Sequence, residues 1–209
     1  DFKDRYKRYH ENSKFKKGYA GLGIMIHNRV HNSVIRVDSI ELEGTYGSGR
    51  ILRVEFKDFY FVGVYTLNSG DKDDLRLDWD KKFSNWIKGF SKPVIIMGDL
   101  NVVDKNIDYW SNLEAVKNTL PGLKDYERSN FTKFMSDCSL IDSFRYLHPD
   151  ARQFSWFSYM GRAYESNKGW RIDYSLVSKS LLHLVTKSTI HDEMRWSDHV
   201  PIELELNYE

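Results

Sequence analysis

The sequence predicts an α/β fold in which two packed sheets are covered by helices. Three observations support this prediction: short apolar runs of strand length, stretches with helical periodicity, and no repeat or low-complexity linker. With 209 residues, 41% hydrophobic and 15% aromatic, the chain can bury a sizeable core. We therefore expect a single domain over residues 1–209.

The first half of the chain contains most of the predicted sheet. Apolar runs bounded by Gly, Asn, Asp or Pro predict strands at residues 22–26, 34–37, 51–56, 60–65 and 94–97. Between the last two runs, five apolar residues have the spacing of one helical face: Trp79, Phe83, Trp86, Ile87 and Phe90. This stretch is predicted to be an amphipathic helix.

The second half alternates between the same two patterns. Phe131, Phe134, Met135 and Cys138 predict another helix. Strand-like character follows at residues 140–145, 153–159, 170–177 and 201–207, and the last of these alternates apolar with acidic residues. Residues 103–126 are polar and irregular, which predicts a long loop that carries function or is disordered.

Charge is unevenly placed along the chain. The formal net charge is only +1, so a surface for polyanions would need local clustering. Residues 1–17 carry seven Lys or Arg against three acids, a local balance of +4. This segment could be a phosphate-facing arm, although such a run alone favours a solvated charged face.

Cys138 is the single cysteine, which excludes an internal disulfide and indicates a reducing compartment. No apolar run approaches the roughly 20 residues of a membrane helix, and no leader pattern opens the chain. We expect a soluble protein of the cytoplasm without membrane association. The chain begins with Asp-Phe-Lys rather than Met, which raises the possibility that it is part of a longer polypeptide.

Three segments carry residues suited to catalysis. An apolar run ends in Gly98-Asp99-Leu100-Asn101, Asp198 and His199 stand side by side before a strand, and Asp173 lies within an apolar strand. Taken singly, the first is more typical of a turn and the second of a hydrogen-bonded loop pair. A carboxylate such as Asp173 is costly to bury without a partner, and a histidine is the obvious one.

Together the three segments predict a phosphodiester-cleaving site. Oxygen ligands suit Mg²⁺, which takes few carboxylates from a protein and keeps several waters. An Asp with a nearby Asn can activate and aim water. A His held by a second Asp can stabilise the pentacoordinate phosphorane or shuttle a proton.

Six motifs follow one another along the chain: Lys17-Gly-Tyr-Ala-Gly21, Val64-Tyr-Thr-Leu-Asn-Ser-Gly70, Gly98-Asp-Leu-Asn101, Asp142-Ser-Phe-Arg-Tyr-Leu-His-Pro149, Asn167-Lys-Gly-Trp-Arg-Ile-Asp-Tyr174 and Ser197-Asp-His199. In this order they resemble the exonuclease III family of AP endonucleases, within the endonuclease/exonuclease/phosphatase superfamily. They look more like this branch than like deoxyribonuclease I, sphingomyelinases or inositol polyphosphate phosphatases. The resemblance implies a four-layer α/β sandwich of two packed mixed sheets flanked by helices, with the N-terminal strands absent from this chain.

The resemblance also implies catalytic roles for five residues. Asp99 resembles the residue that activates or orients the attacking water, and Asn101 the one that positions nucleophile and phosphate. Tyr65 falls where the family contacts the scissile phosphate or stabilises its charge. His199 resembles the phosphate-contacting histidine, and Asp173 resembles its partner.

Further positions match substrate and metal contacts of the family. Asn68 shares the phosphate-contacting position of Tyr65, and Asp198 resembles the C-terminal metal-associated carboxylate. Trp156, Met160 and Trp170 match positions that line the abasic-sugar pocket or probe the duplex. A structural core role for either tryptophan remains an alternative on composition.

The chain also departs from the family pattern. The Trp-Asn and Gln-Glu motifs that open family members are missing, and the Glu is their principal metal ligand. We expect an N-terminal truncation, and a chain that is unstable and nearly inactive if it is complete. Leu67, Asp71 and Trp196 replace a usual Pro, a basic residue of some relatives and a small residue, which affects fine specificity.

The leading hypothesis is a Mg²⁺-dependent DNA repair nuclease, with Mn²⁺ as another suitable ion, that hydrolyses the backbone 5′ to abasic sites. The resemblance adds 3′–5′ exonuclease and 3′-end phosphodiesterase activities. The expected partner is double-stranded DNA with abasic or damaged 3′ ends, bound by a monomer that is nucleoid-associated, or nuclear or organellar in a eukaryote. The alternatives are a catalytically impaired DNA-binding remnant, and a phosphoesterase acting on RNA or a small phosphorylated ligand.

Overall fold

A six-stranded mixed sheet forms the centre of the protein. The computed structural model describes residues 2–44 and 46–208. The strands are β1 (Tyr6–Asn12), β2 (Gly21–His27), β3 (Val34–Ile40), β4 (Ile51–Phe56), β5 (Tyr60–Tyr65), β6 (Val94–Asp99), β7 (Leu140–Asp142), β8 (Trp156–Phe157), β9 (Gly169–Trp170), β10 (Asp173–Ser178), β11 (Val185–Ile190) and β12 (Ile202–Leu206). The central sheet has the order β3-β4-β5-β6-β10-β7, in which only β5 and β6 pair in parallel.

Two of the helices cover one face of this sheet. The helices are α1 (Phe2–Arg5), α2 (Asn28–His31), α3 (Asp73–Lys88), α4 (Asp125–Asp137) and α5 (Ser143–Leu147). Helices α3 and α4 pack their apolar stripes onto the sheet in one core cluster that includes Trp79, Phe83, Phe131, Ile96 and Leu176. No helix in the described part of the chain is long and apolar enough to cross a bilayer.

Two antiparallel strand pairs cover the other face. The pair β1-β2 lies over β5, where a Cβ on Gly63 would come within 3.3 Å of Ile24. The pair β11-β12 lies over β10, and Leu204 packs against the cluster of Ile95 and Val177. The predicted packing of sheet on sheet under helices is confirmed. In the described residues the second layer consists of these two separate pairs.

The structure corrects the predicted boundaries of three segments. The run 140–145 is a strand only to Asp142, whose side chain accepts a hydrogen bond from the Arg145 amide and caps α5. In the run 153–159 the only strand is β8. The run 170–177 is interrupted between β9 and β10, because Arg171 turns inward to a buried carboxylate.

Two strands escaped the sequence patterns. The basic segment 1–17 contains β1, whose exposed and half-buried positions suit one edge of a two-stranded sheet. Asp1, counted in the charge of that segment, lies outside the described residues. Strand β11 carries Thr, Lys and Ser, so its sequence lacks a strong apolar signal.

The segment 103–126 is ordered, a loop up to residue 124 that then enters α4, so the alternative of a disordered loop is wrong. It contains two 3₁₀ turns, Asn106–Asp108 and Leu113–Ala115. Its side chains Val103, Leu113 and Leu123 are buried and form a small core with Ile172. The polar composition of the segment hid these apolar anchors.

Replacing Gly98 with Ala is expected to destabilise the protein by about 1–3 kcal/mol or more, because Gly98 has a φ of +141° and a Cβ there would lie 2.0 Å from the Val64 carbonyl oxygen. Urea denaturation would measure the change. Gly23→Ala is the control, since a Cβ on Gly23 would lie 3.7 Å from the nearest atom, the Tyr9 carbonyl oxygen. Equal midpoints for the two variants would contradict the prediction.

Candidate active site

An open cavity of about 660 Å³ lies at the end of strands β5 and β6. Nine of the ten predicted site residues line it: Tyr65, Asn68, Asp99, Asn101, Trp156, Met160, Trp170, Asp198 and His199. The tenth, Asp173, forms a hydrogen bond with His199. The structure therefore brings together residues that are far apart in the sequence.

Strand register aligns three of these residues in one row. Tyr65 on β5 is the parallel partner of Asp99 on β6. Asp99 is in turn the antiparallel partner of Asp173 on β10. Adjacent strands lie about 4.8 Å apart, so a phenol and two carboxylates share one edge of the sheet.

A network of amides orients the Asp99 carboxylate. Asn101 donates its backbone N–H to Asp99 Oδ1 (2.8 Å) and its Nδ2 to Asp99 Oδ2 (3.0 Å). Asn68 donates to Asn101 Oδ1 over 3.1 Å. Asn101 has a φ of +47°, a backbone conformation that Asn tolerates better than most residues. Asn101 thus holds the carboxylate, Asn68 holds the Asn101 side chain, and both amides line the cavity.

His199 is held by Asp173. Its Nδ1 lies 2.8 Å from Asp173 Oδ2. Ser155 joins the two segments, since its Oγ accepts from the Asp173 amide (3.0 Å) and its carbonyl accepts from the Val200 amide (2.8 Å). A backbone bridge between Trp156 and His199 fixes the segment further. The imidazole is therefore positioned from both sides.

Burial and charge shift the pKa values of both reacting groups. Burial, followed by the negative charge of Asp173, raises the pKa of the Asp99 carboxyl to about 7, although His199, the Asn101 amide and Arg76 act in the opposite direction. Burial lowers the pKa of the His199 imidazole, but the hydrogen bond and charge of Asp173 outweigh it, and the pKa rises to about 9. Near neutral pH the site holds a cationic imidazolium beside a carboxyl that can take up a proton.

Asp198 is the candidate metal ligand. Its carboxylate accepts hydrogen bonds from Trp156 Nε1 (3.1 Å), Ser197 Oγ (2.9 Å) and Tyr159 Oη (3.4 Å). Burial raises its pKa, but the bonds from Ser197 and Trp156 and the charge of His199 outweigh this effect, so the pKa lies below the ordinary value. The side chain is therefore an anionic oxygen donor at neutral pH.

The oxygen donors of the cavity suit Mg²⁺ chemically. Asp99, Asn68 and Asp198 all line it and offer the oxygen ligands that this ion prefers. Among the described residues, however, no three His, Cys, Asp or Glu side chains are grouped to hold a metal ion. An ion here would take Asp198 as its protein ligand and fill its other positions with water and substrate oxygens.

Aromatic rings form one wall of the cavity. Trp156 and Trp170 pack edge to face with centroids 5.2 Å apart, and Tyr109 contacts Trp170 at 5.5 Å. Both tryptophans also border the buried core around Leu113, so they serve the core and the cavity at once. Met160 is 81% exposed at the cavity rim. The core role that the sequence left open for the tryptophans is therefore present, and both rings also face the cavity.

The sequence analysis did not identify Arg76, a buried residue that holds the chain just after β5 and β6. The Arg76 guanidinium donates to the carbonyl oxygens of Leu67 (2.9 Å), Asn101 (3.1 Å) and Leu100 (3.1 Å). Glu127, fully buried on α4, pairs with it at 3.7 Å. Nothing in the helical pattern distinguishes Arg76 from a surface arginine.

Further cavity residues were also missed. Tyr109, Trp110 and Lys168 line the wall, and the Lys168 ammonium lies 5.1 Å from the centre of the Trp110 ring. The aromatic pair in an otherwise polar segment, 103–126, was the one available signal.

Comparison with known proteins gives concordant results. The sequence model described as the Endonuclease/Exonuclease/phosphatase family matches residues 2–199. The chain is 36% identical to an exodeoxyribonuclease of Bacillus subtilis over 202 residues, covering 94% of this chain and 78% of that protein. It is 33% identical to the DNA repair nuclease APEX1 of Danio rerio over 205 residues, covering 95% of this chain and 64% of that protein.

A solved structure shows the same fold. An AP endonuclease from Leishmania major superimposes with a TM-score of 0.88 at 22% identity. The match covers 99% of this chain and 72% of that structure. The likeness therefore extends over both sheet layers.

Proposed function

The chain belongs to the exonuclease III family of AP endonucleases, a nuclease branch of the Endonuclease/Exonuclease/phosphatase family, and we propose that it hydrolyses DNA 5′ to abasic sites. The proposal includes 3′–5′ exonuclease and 3′-end phosphodiesterase activities on damaged ends, and a monomeric protein. The family assignment confirms the resemblance of the six sequence motifs. Abasic-site specificity and the individual activities go beyond it.

The observation that carries the proposal is the row of Tyr65, Asp99 and Asp173 at one sheet edge, completed by His199. The row and His199 together bring a proton acceptor, Asp99, and a cationic hydrogen-bond donor, His199, to the same cavity. Hydrolysis of a phosphodiester needs both, because water must lose a proton while negative charge grows on the phosphate oxygens.

The residues of the chain divide the reaction between them. Asp99 accepts a proton from the attacking water, Asn101 holds the carboxylate, and Asn68 and Asn101 hold the phosphate in place. The water oxygen bonds to phosphorus as the bond to the leaving oxygen breaks, and the leaving oxygen takes up a proton from bulk water. His199 and Tyr65 stabilise the added charge on the phosphate, and Asp173 keeps His199 protonated.

The aromatic wall supports a baseless sugar as the preferred group in the cavity. Trp156 and Trp170 offer apolar surfaces beside the catalytic row. A sugar without a base can be rotated out of the duplex at lower cost than a paired nucleotide. We propose that these rings contact the abasic sugar and that Met160 contacts the duplex at the rim.

Nucleases of this family are generally dependent on a divalent metal, and we propose Mg²⁺, with Mn²⁺ as a substitute. A bound ion would neutralise charge on the phosphate. Asp198 would hold it together with water and substrate oxygens.

A gel assay on duplex DNA with one abasic site, with Mg²⁺ or with EDTA, tests the proposal. We expect metal-dependent incision at the abasic site, with an otherwise identical intact duplex as the control. Equal cleavage of the two duplexes, or undiminished cleavage in EDTA, would contradict it.

The sparse metal donors of the described residues favour one alternative, a DNA-binding protein with impaired catalysis. Such a protein would bind abasic duplex in a salt-sensitive manner without metal-dependent turnover. Selective binding in the same assay, without incision, would support this alternative.

The incision rate is expected to rise with pH through about 7. Asp99 accepts a proton only when ionised, and its pKa is raised to about 7. One pH unit below that value the rate should be roughly tenfold lower than on the plateau. Single-turnover rates across this range would measure the acid limb. A midpoint near the ordinary value of 3.8 would contradict the prediction.

A further inference from the structure

A second hollow of about 290 Å³ adjoins the candidate active site. The two cavities share Ser158, Ala163 and Asp198 in their walls. A nucleic acid strand whose scissile phosphate lies beside His199 would therefore place a neighbouring nucleotide at this hollow.

The hollow is built between the loop of residues 158–166 and the loop that carries Asp198. The Tyr159 hydroxyl accepts from the Asp198 amide over 3.0 Å and donates to Asp198 Oδ1 over 3.4 Å. The Tyr164 hydroxyl donates to the Asp192 carbonyl oxygen. These bonds tie both loops together, so the walls of the hollow are joined to the segment that carries His199.

Two arginines line the hollow. The Arg195 guanidinium lies over the Tyr164 ring, 3.5 Å from its centroid. Stacking on a ring leaves the N–H edge of a guanidinium able to bind a phosphate. The Arg162 side chain is 83% exposed and forms a 3.0 Å ion pair with Glu165, a contact weak enough in water to yield to a phosphate.

An exposed tryptophan follows Arg195 in the sequence. Trp196 is 86% exposed and lies outside the lining of the hollow, whereas Tyr159 on the facing loop is 78% exposed and lines it. Flat aromatic surfaces beside a basic groove bind nucleobases by stacking, without reading their sequence. A base inside a duplex already stacks on its neighbours, so only an unpaired base can use the Trp196 face.

We propose that this hollow binds the phosphate of an unpaired nucleotide next to the scissile phosphodiester, at Arg195 and Arg162, and that the base of this nucleotide stacks outside the hollow on Trp196. The inference rests on the proposed function, since it assumes a DNA strand in the main cavity. It gives the protein a preference for abasic sites in frayed, mismatched or single-stranded surroundings over fully paired ones.

Equilibrium binding in EDTA tests the inference without depending on turnover. The probes are two labelled duplexes with one abasic site, fully paired or with mismatched thymidines beside that site. We expect the protein to bind the mismatched duplex at least about fivefold more tightly, the lower range for stacking of one base. Trp196→Ala should abolish this difference and Trp196→Phe should retain most of it.

Matched controls separate the hollow from general charge and aromatic content. Arg195→Ala should reduce the slope of log affinity against log salt concentration by about one, the value for one lost phosphate contact. Arg29→Ala on α2 should leave this slope unchanged. Tyr146→Ala removes an aromatic ring that is 59% exposed on α5, outside both cavities, and should leave the preference intact.

The outcomes distinguish the inference from the function on which it rests. Abasic-site binding that is equal for both duplexes, or a preference that survives Trp196→Ala, would overturn the inference alone. A protein that binds neither duplex and incises neither with Mg²⁺ would overturn the proposed function and the inference together.

Discussion

Replacing Asp99 with Asn is expected to lower the rate of abasic-site incision by about 100-fold or more, the usual contribution of a positioned general base. The amide has the shape of the carboxylate but cannot accept a proton from water. It keeps an acceptor for the Asn101 backbone N–H, now 2.8 Å from Asp99 Oδ1. The change also removes a negative charge that lies close to Asp173, which limits the loss of stability.

Single-turnover rates and DNA affinity should be measured together for this variant. We expect the rate to fall while the affinity for abasic duplex changes little, because Asp99 acts on water rather than on the DNA backbone. Asp150→Asn is the matched control, an exposed aspartate shortly after α5 and outside both cavities. Incision at a near-normal rate by Asp99→Asn, or by Asp173→Ala and His199→Ala, would reject the assigned roles.

Replacing Asp108 with Ala is expected to reduce the free energy of unfolding by about 3–5 kcal/mol, the usual cost of breaking a buried ion pair. Asp108 is fully buried and accepts from Arg171 Nε (2.7 Å) and Nη2 (3.0 Å) and from Arg145 Nη2 (2.6 Å). Its loss removes the carboxylate that pairs with the buried Arg145 guanidinium and leaves the buried Arg171 guanidinium with Asp142 as its ion-pair partner. It also releases a 3₁₀ turn of the 103–126 loop, since the Lys105 amide donates to Asp108 Oδ2.

Urea denaturation at neutral pH would measure this loss, with Asp137→Ala as the control. Asp137 pairs with Lys88 and Lys133 at the surface, so its removal should have a much smaller effect. An Asp108→Ala midpoint equal to that of the unmodified protein would contradict the prediction.

Acid should weaken the same contact. Burial acts to raise the pKa of the Asp108 carboxyl, but the hydrogen bonds and charges of Arg171 and Arg145 outweigh it, and the pKa lies below the ordinary 3.8. The stabilisation is therefore complete above 3.8 and is lost as the pH falls through the lower folded-state value. Asp108→Ala should lack this component of acid denaturation.

Local patterns in the chain were sufficient for the family, the buried strands and a set of polar residues that the structure brings to one cavity. Residues 51–56 and 60–65 form the predicted strands with the same ends, because apolar residues fill β5 and alternate with Arg53 and Glu55 in the second half of β4. Asp99, Asn101 and His199 were identified from ordered motifs, and the structure places them on one cavity. A spacing of a few residues is enough to specify such features.

Only the tertiary structure could show which distant groups face one another. The Asp108 contact with Arg171 spans 63 residues, and the support of Asn101 by Arg76 spans 25. Local periodicity reports that a side chain is buried, but it does not identify the partner that makes burial of a charge tolerable. The ordered 103–126 loop, strand β11 and the hollow beside Trp196 all depend on such distant contacts, because each is stabilised by residues that the chain brings together only when it folds.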